Sequence, residues 1–469
     1  MTWEFEPWLL LLYFAYVFLV LVALVQMLYQ RRSPQNLMAW LLTLLLLPYI
    51  GILLYLFFGS RKIFYRRTKP SLTFHESHLA AESSHLPALA QQINRLLGAE
   101  QMASLSTGNQ VALFYEDHTA YLALLKAVEQ AHYSIYLETY ILQADATGRH
   151  LLEALTLKAR QGVQVCLLLD AIGSFALYVH PKPLAAFRAA GGHVAFFQPV
   201  FKNFFNSQMN LRNHRKLYLF DHHVAFTGGM NLANDYLGLA CHRPEQGRWQ
   251  DLLFALSGPV LAHYHQIFQQ DWRYASAVPL REVQPFVPQS QNVFVQAIPA
   301  GPDIEKEGLF ESLMLAIYSA QRELVIVSPY FIPDGSIMTA LLLAIKRGVR
   351  MRLLSPERSD HRIFDIGRSS YLRELAEAGG EIHFYAGKML HAKLVVVDAQ
   401  ALLFGTANLD YRSLFINHEL ANWVYDAPLI TQCLNWIEQI QAQSVEYVPT
   451  QGRGRRLWEN LSRVIAPIL

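Results

Sequence analysis

The chain has 469 residues, of which 52% are apolar and only 16% are charged, and its formal net charge is +2. This apolar surplus indicates that part of the chain faces lipid. The first 70 residues hold seven Lys and Arg against two Asp and Glu, which leaves 32 basic and 35 acidic groups in the rest. Since a domain that binds nucleic acid without sequence preference normally has a basic excess, we expect no nucleic-acid partner.

Two apolar segments lie near the N-terminus, at about residues 8–28 and 37–58. Each approaches or exceeds the roughly 18–20 residues that an α-helix needs to cross the hydrocarbon core of a membrane. A short polar stretch separates them, so the sequence predicts a two-helix transmembrane hairpin within residues 1–67. A cleaved signal peptide fits poorly, because Glu4 and Glu6 rather than basic residues precede the first segment.

Basic residues indicate the orientation of this hairpin. Two of them, Arg31 and Arg32, lie in the loop between the segments. Five follow the second segment: Arg61, Lys62, Arg66, Arg67 and Lys69. Because Lys and Arg are enriched on the cytoplasmic side of membranes, we expect the large C-terminal portion to be cytoplasmic.

Beyond the hairpin we predict a linker over residues 68–109, with one helix at about 86–97. Two repeats follow, at residues 110–285 and 286–450. In both, a segment of helical periodicity leads into a short apolar strand, as in Ser134–Leu137 and Leu324–Val327. This alternation predicts an α/β unit with a largely buried sheet, present twice.

Each repeat contains the pattern H-x-K-x4-D-x6-G-[GT]-x-N. A single His and Lys two residues apart are usually two polar residues on the wet face of a strand. Two copies with every polar position matched make coincidence a remote explanation. The matched residues are His214, Lys216, Asp221, Gly228 and Asn231 in the first repeat and His391, Lys393, Asp398, Gly405 and Asn408 in the second.

The repeated residue types suit the chemistry of a phosphodiester. Residues two apart on a strand share a face, so each His and Lys point the same way. If the halves pack about a pseudo-twofold axis, both pairs meet in one cleft. One neutral imidazole can then attack phosphorus while the other, protonated, gives its proton to the leaving alkoxide. The lysines, with Asn231 and Asn408, would stabilise charge on the non-bridging oxygens. We expect no metal and no other cofactor.

Two carboxylates are placed comparably in the two repeats, Asp251 and Glu419, at 37 and 28 residues after His214 and His391. A nucleophilic imidazole needs an acceptor that orients its other ring nitrogen. Although a carboxylate at a strand edge is usually only solvated, the repetition favours Asp251 and Glu419 as the residues that orient the histidines.

Two segments leave alternatives open. The first repeat has 11 extra residues within Gln198–Arg212, and their apolar side chains either pack inward or enter lipid. Residues 451–469 predict an amphipathic helix, which either binds the membrane interface or packs on the catalytic core. The apolar residues of the insertion are Phe201, Phe204, Phe205 and Met209.

The doubled H-x-K-x4-D pattern resembles the phospholipase D superfamily, and the layout of nearly the whole chain is similar to that of bacterial cardiolipin synthases. The matching segments are Arg31–Pro34, Met38–Trp40, Asp170–Ser174, Arg212–Lys216, Ser328–Pro333 and Asn408–Ser413. One departure is Gly229, where the family often has Ser. Loss of that hydroxyl is expected to weaken one phosphate contact and to leave the two His–Lys pairs whole.

The resemblance implies a pseudo-twofold pair of mixed sheets flanked by helices, with six catalytic motif residues, namely His214, Lys216, Asp221, His391, Lys393 and Asp398. It implies a phosphatidyl-histidine intermediate, with His214 as nucleophile and His391 as acid and base. It also implies a multi-pass protein of the bacterial inner membrane. We expect transfer of a phosphatidyl group between two phosphatidylglycerol molecules, giving cardiolipin and glycerol. The alternatives are a phospholipase D-type hydrolase, a phosphatidyltransferase for another headgroup and a membrane-tethered nuclease.

Overall fold

The computed structural model describes the N-terminal helices and almost all of the two repeats. The described residues are 7–29, 34–58, 69, 72, 74, 86–203, 210–238, 248–282, 286, 288–289, 291–304 and 306–449. The expected C-terminal amphipathic helix therefore lies outside the described residues, as do Phe204, Phe205 and Met209 of the insertion.

The N-terminal segment forms three helices: α1 (Pro7–Tyr29), α2 (Pro34–Leu46) and α3 (Ile50–Phe58). Within α1, residues Leu10–Leu28 are long and apolar enough to cross a membrane, and few of them are buried against other parts of the protein. In the described part of the chain this is the one helix that meets both criteria.

The second apolar segment is not the continuous helix that the sequence predicted over residues 37–58. Pro48 lies at the break and has no N–H to continue the helical hydrogen bonds, and Tyr49 adopts a positive φ of 67°. Beyond the break α3 packs closely on α2. At Gly51 the two helices are so close that a Cβ atom would lie 2.6 Å from the Thr43 carbonyl oxygen. The segment is therefore two short helices in contact.

The predicted linker helix is confirmed as α4 (Ala88–Ala99). Its buried residues Ala90, Ile93 and Leu97 recur at helical spacing. They belong to the hydrophobic core of the second repeat, so α4 is part of the folded unit.

The first repeat alternates strands and helices. Its elements are β1 (Ser106–Phe114), α5 (Asp117–Gln130), β2 (Ser134–Thr139), α6 (Ala146–Arg160), β3 (Gln164–Asp170), α7 (Phe175–Val179), a 3-10 turn (Lys182–Leu184), α8 (Ala185–Ala189), β4 (His193–Phe197), α9 (Val200–Asn203), β5 (Leu217–Phe220), β6 (Val224–Gly228), β7 (Leu253–Ser257) and α10 (Leu261–Ala275).

The second repeat follows the same plan. Its elements are β8 (Val293–Ala300), α11 (Gly308–Ser319), β9 (Glu323–Val327), β10 (Phe331–Ile332), α12 (Gly335–Lys346), β11 (Arg350–Pro356), α13 (Arg362–Glu377), β12 (Glu381–Tyr385), β13 (Leu394–Val397), β14 (Ala401–Gly405), β15 (Leu409–Asp410), α14 (Tyr411–Phe415), β16 (Glu419–Val424), α15 (Ala427–Ala442) and β17 (Ser444–Glu446).

The strand order confirms the prediction of two α/β repeats. In the first repeat the order is β1-β7-β6-β5-β2-β3-β4, and in the second the equivalent order is β8-β16-β14-β13-β9-β11-β12, with β17 added at the edge. Strands β2, β3 and β4 pair in parallel, and β5, β6 and β7 pair antiparallel. Each repeat is therefore a mixed sheet.

The two sheets join where β1 pairs antiparallel with β8, which gives one continuous sheet of 15 strands among the described residues. Phe254 on β7 stacks on Phe404 on β14 with ring centroids 3.7 Å apart. Both rings belong to one hydrophobic cluster that contains residues of both repeats. Burial of apolar surface therefore fixes the repeats against each other.

Candidate active site at the junction of the repeats

The first His–Lys pair lies just before β5, on the segment that ends at Lys216. The His214 side chain is 13% exposed and is the more accessible of the two. Lys216 is fully buried, and its Nζ donates a hydrogen bond to the His214 carbonyl oxygen at 2.9 Å. This bond holds the lysine beside the histidine backbone.

The second pair lies at the equivalent place, just before β13. His391 and Lys393 are both buried. Lys393 Nζ lies 2.9 Å from Nε2 of His391 and donates to the His391 carbonyl oxygen, as Lys216 does in the first repeat. The matched spacing in the sequence therefore corresponds to matched local geometry.

Each imidazole contacts a carboxylate that belongs to the other repeat. Nδ1 of His214 lies 3.0 Å from the carboxylate of Glu419, the first residue of β16. Nδ1 of His391 lies 2.7 Å from Asp251 Oδ2, two residues before β7. The sequence identified both carboxylates, but it gave no signal that the partners would be exchanged. The exchange leaves Nε2 as the nitrogen of each ring that faces away from the carboxylate.

Backbone hydrogen bonds between the repeats fix this exchange. The N–H of His214 donates to the His418 carbonyl at 2.9 Å, and the N–H of His418 donates to the Arg212 carbonyl at 2.9 Å. At the other side, the N–H of His391 donates to the Gln250 carbonyl at 2.7 Å. Each histidine therefore lies directly against the strand that carries its carboxylate, and neither repeat contains a complete site.

Aromatic rings surround both imidazoles. The Tyr140 ring lies edge-on to His214 with centroids 5.1 Å apart. The rings of Tyr236 and Trp249 lie 5.2 and 5.1 Å from His391. Sequence reasoning missed these residues, because a scattered aromatic carries no motif. They restrict access of water to the rings.

Burial and like charge lower the pKa of the basic groups. Burial lowers the pKa of His214, and Lys216 and Lys393 lower it further, against the opposing effect of Glu419. Burial, followed by the charge of Lys393, lowers the pKa of His391 to about 4. Both imidazoles are therefore neutral near pH 7, as a nucleophile requires.

The two lysines also have lowered pKa values. Burial lowers the pKa of Lys216 to about 7, with Lys393 contributing as a nearby like charge. Burial lowers the pKa of Lys393 to about 8. Since the charges of the two repeats influence one another, the two His–Lys pairs form one electrostatic unit.

The two asparagines lie beyond the strands that follow each His–Lys pair. Asn231 Oδ1 accepts a hydrogen bond from the Ile141 N–H at 3.2 Å. Asn408 Nδ2 lies 3.4 Å from Ser413 Oγ. Both asparagines are buried, and these contacts limit the directions in which their amide groups can point.

Gly229 and Thr406 occupy equivalent positions, and both lie against the carboxylates. Thr406 Oγ1 donates to the Glu419 carboxylate, whereas a Cβ atom at Gly229 would lie 2.0 Å from Asp251 Oδ1. Because Gly229 has no side chain, the Asp251 carboxylate can lie directly against its backbone. The hydroxyl of Thr406, at the position equivalent to Gly229, is directed at a carboxylate. By analogy, a hydroxyl at position 229 is expected to contact Asp251 rather than a substrate phosphate.

The aspartates of the repeated motif lie away from the imidazoles. Asp221 follows β5, at the end opposite Lys216, and accepts hydrogen bonds from the N–H groups of His132, Tyr133 and Ser134 at 2.7–2.9 Å. Asp398 makes the equivalent three bonds, at 2.8–2.9 Å, to the N–H groups that precede and begin β9. A strand of this length separates Asp221 from Lys216 by roughly 15 Å. The structure therefore does not bring either aspartate to the His–Lys pairs.

One group of potential metal ligands exists among the described residues: Asp271, Asp303 and His418, whose ligand atoms lie within 4.8 Å of one another. The ammonium group of Lys69 contacts both aspartates, with Nζ 2.8 Å from Asp303 Oδ2. A lysine therefore supplies the positive charge at this position.

The insertion is described only in part. Phe201 on α9 is 71% exposed and stacks on Tyr178, with ring centroids 5.6 Å apart. This aromatic pair lies on the surface, so the inward-packing alternative does not hold for Phe201.

Comparison with known proteins gives consistent results along the chain. The model of the "cardiolipin synthase, PLD-like domain" family matches residues 124–272 and 313–441, which are the two repeats. The chain belongs to this family. A second family model, "phospholipase D-nuclease N-terminal", matches residues 18–60.

Individual members of the cardiolipin synthase family match nearly the full chain. The cardiolipin synthase of Geobacillus thermodenitrificans (strain NG80-2) is 35% identical over 94% of this chain and 90% of its own. The major cardiolipin synthase of Bacillus subtilis (strain 168) is 31% identical over 98% of this chain and 99% of its own. Among solved structures, a phosphatidylserine synthase of Haemophilus influenzae Rd KW20 has a TM-score of 0.59 at 14% identity, covering 81% of this chain and all of that one. This structural similarity supports the fold.

Proposed function

We propose that this protein is a cardiolipin synthase, which transfers a phosphatidyl group from one phosphatidylglycerol to a hydroxyl of another and releases glycerol. The observation that carries the proposal is the pair of imidazoles at the repeat junction, each held by a carboxylate of the other repeat and each beside a lysine. Two imidazoles suit a reaction in which a phosphodiester is broken and re-formed.

In the first step, Nε2 of His214 attacks the phosphorus of the donor. Glu419 accepts a hydrogen bond from Nδ1, which leaves the lone pair on Nε2 and stabilises the positive charge that develops on the ring. A phosphorus–nitrogen bond forms and the bond between phosphorus and the glycerol oxygen breaks. The product is a phosphatidyl-histidine.

The leaving glycerol takes a proton from His391. Burial, and after it the Lys393 charge, lowers the pKa of His391 in the free protein. A bound phosphodiester anion attracts the lysine charge and favours protonation of the ring, and Asp251 stabilises the imidazolium. Substrate binding thus prepares the acid.

In the second step, neutral His391 removes the proton from a hydroxyl of a second phosphatidylglycerol. The oxygen attacks phosphorus, the phosphorus–nitrogen bond breaks and His214 is restored. Two phosphatidylglycerols thus give one cardiolipin and one glycerol. Exclusion of water by the surrounding rings favours the lipid acceptor over hydrolysis.

Lys216 and Lys393 neutralise the non-bridging oxygens in both steps, with Asn231 and Asn408 as additional donors. Asp221 and Asp398 serve the fold, since each carboxylate accepts three backbone N–H groups. We propose a pseudo-twofold relation between the repeats, which is supported by their equivalent strand orders and by the two-way exchange of carboxylates.

The N-terminal helices hold the site at its lipid substrates. We propose a multi-pass protein of the bacterial inner membrane with a cytoplasmic catalytic portion, supported by α1 and by the basic residues that follow α3. The chain after the N-terminal helices has no basic excess, which argues against a nucleic-acid substrate. A lipid substrate agrees with this charge balance and with a membrane anchor.

The proposal is tested by incubating the full-length protein with vesicles that contain phosphatidylglycerol and by identifying lipid and water-soluble products by mass. We expect cardiolipin and glycerol in equal amounts. The double variant His214→Ala/His391→Ala, which lacks both imidazoles, is the negative control. Phosphatidic acid with glycerol, and no cardiolipin, would assign a hydrolase instead. A product formed only when another alcohol is added would assign a different acceptor.

A further inference from the structure

A buried cluster of charged residues lies directly behind the His214–Glu419 pair. We call it the buried charge cluster, and its members are Lys69, Arg215, Asp271, Asp303 and His418. All five are at most 5% exposed. They come from distant parts of the chain: the segment after α3, the residue following His214, helix α10, the loop after β8 and the residue preceding Glu419.

Lys69 contacts both acids of the cluster. Its Nζ lies 2.8 Å from Asp303 Oδ2 and forms an ion pair with Asp271. Asp271 also pairs with the Arg215 guanidinium. The ammonium of Lys69 thus takes the place among Asp271, Asp303 and His418 that a metal ion could otherwise occupy.

Through these acids, Lys69 is connected to both strands of the catalytic pair. Arg215 Nε donates to the Glu419 carbonyl at 3.0 Å and Arg215 Nη2 donates to the Ala300 carbonyl at 3.1 Å. Nδ1 of His418 lies 2.9 Å from Asp303 Oδ1. Since Arg215 adjoins His214 and His418 adjoins Glu419, the cluster holds the backbone on both sides of the pair.

The charges of the cluster balance. Burial by itself would raise the pKa of Asp271 and of Asp303, but Arg215 and Lys69 hold the pKa of Asp271 low, and Lys69 and His418 hold that of Asp303 low. Burial lowers the pKa of His418, which keeps it neutral. Burial raises the pKa of the neighbouring Glu138 well above its usual range. Two cations therefore face two anions, and loss of either Lys69 or Asp303 leaves one uncompensated charge.

We propose that Lys69 is a positioning residue for the transfer reaction: its ammonium fixes Asp271 and Asp303, and these fix the backbone segments that carry His214 and Glu419. Because Lys69 is the first described residue after α3, it also connects the catalytic pair to the part of the chain that follows the N-terminal helices. This inference rests on the proposed function, in which His214 and Glu419 take part in transfer.

The test compares four full-length variants in vesicles at varied fractions of phosphatidylglycerol: Lys69→Met, Asp303→Asn, the double variant Lys69→Met/Asp303→Asn, and Lys306→Met. Lys306 is the matched control, since it is half-exposed and its ion-pair partner is Glu100, at 3.2 Å, rather than an acid of the cluster. Rates are divided by the folded fraction, which is measured by circular dichroism at the assay temperature.

We expect each single cluster variant to lower kcat roughly 100-fold with little change in KM, because a displacement of about 1 Å at the reacting group has an effect of that size. The double variant restores the charge balance but not the contacts that Lys69 makes, so we expect its kcat to stay low. Lys306→Met is expected to match the unmodified protein.

Three outcomes would overturn the inference. One is an unchanged kcat in Lys69→Met. Another is a loss that only follows the folded fraction, which would make the cluster a stability element. The third is a double variant with the kcat of the unmodified protein, which would assign the loss in the single variants to an unbalanced charge rather than to lost positioning contacts. If the unmodified protein and Lys306→Met form no cardiolipin at all, the proposed function fails instead.

Discussion

Nδ1 of His391 lies 2.7 Å from Asp251 Oδ2, although the two residues belong to different repeats. The reciprocal contact joins His214 to Glu419 at 3.0 Å. In the proposed mechanism, a carboxylate of one repeat therefore orients the imidazole of the other and stabilises its charge. Each histidine of the proposed site thus has its carboxylate partner in the other half of the chain.

The exchanged carboxylates predict different effects of Glu419→Gln and Asp251→Asn. We expect both to lower turnover of phosphatidylglycerol by roughly 10²- to 10⁴-fold, since a neutral amide neither orients the ring nor stabilises its charge. A phosphatidyl donor with a p-nitrophenyl leaving group separates the two, because p-nitrophenolate departs without a proton. Release of nitrophenolate in a single turnover should be near normal in Asp251→Asn and slow in Glu419→Gln. The reverse pattern would mean that each carboxylate serves the histidine of its own repeat.

Gly229 is predicted to be needed for the position of Asp251. A Cβ atom there would lie 2.0 Å from Asp251 Oδ1, so Gly229→Ala must displace the carboxylate from His391. We expect a loss of roughly 100-fold in kcat, measured as cardiolipin formed per folded protein. Gly98→Ala is the matched control, because no atom lies within 4 Å of its new methyl group. Normal activity of Gly229→Ala would show that Asp251 can move without consequence.

Asp221 is predicted to affect stability more than chemistry. Asp221→Ala removes the acceptor of three backbone N–H groups, at about 1–3 kcal/mol for each one left buried and unpaired. Its melting temperature should fall, while the folded fraction should retain most of its kcat. Asp221→Asn keeps one acceptor oxygen and tolerates the positive φ of 50°, so it should lose less. A stable Asp221→Ala protein without turnover would place the aspartate in the chemistry.

The lysines predict an alkaline limit to activity. Below its pKa each ammonium is charged, so charge is lost as the pH rises through about 7 for Lys216 and about 8 for Lys393. Since His391 is the acid of the first step and its pKa in the free enzyme is about 4, kcat/KM should already decline as the pH rises, and loss of the lysine charges should make that decline steeper above pH 7–8. We expect kcat to fall only at higher pH, because the bound anion favours the charged lysines. On the acid side, the lowered pKa of His214 keeps the nucleophile neutral below its usual range. A kcat/KM that still rises at pH 9 would contradict this account.

The periodicity and the internal repetition of the sequence predicted the α/β architecture and most of the residues at the candidate site. The alternation of helical and strand segments gave two α/β units, and the comparable placement of one carboxylate in each half pointed to Asp251 and Glu419, which contact His391 and His214. The exchange of carboxylates could not be predicted, because it depends on how β1 and β8 join the sheets. The second apolar segment was predicted as one helix, since hydropathy does not register the break at Pro48 and Tyr49.

The position of Lys69 beside the catalytic pair could not be predicted from the sequence either. In the sequence it counted only as one of five basic residues that orient the membrane segment. Its partners Asp271 and Asp303 lie more than 200 positions away, and no motif connects them. Only the folded chain brings these charges behind His214.

In the proposed mechanism His214 carries the phosphatidyl group and His391 moves the proton, and a trapped covalent intermediate would distinguish these two roles. His391→Asn is incubated with the p-nitrophenyl donor, from which the leaving group departs without an acid, while later attack by an alcohol lacks its base. Peptide mass spectrometry should then locate a phosphatidyl adduct on His214, with no adduct in His214→Ala under the same conditions. An adduct on His391 in His214→Ala, or appreciable cardiolipin formed from phosphatidylglycerol by either variant, would contradict the account.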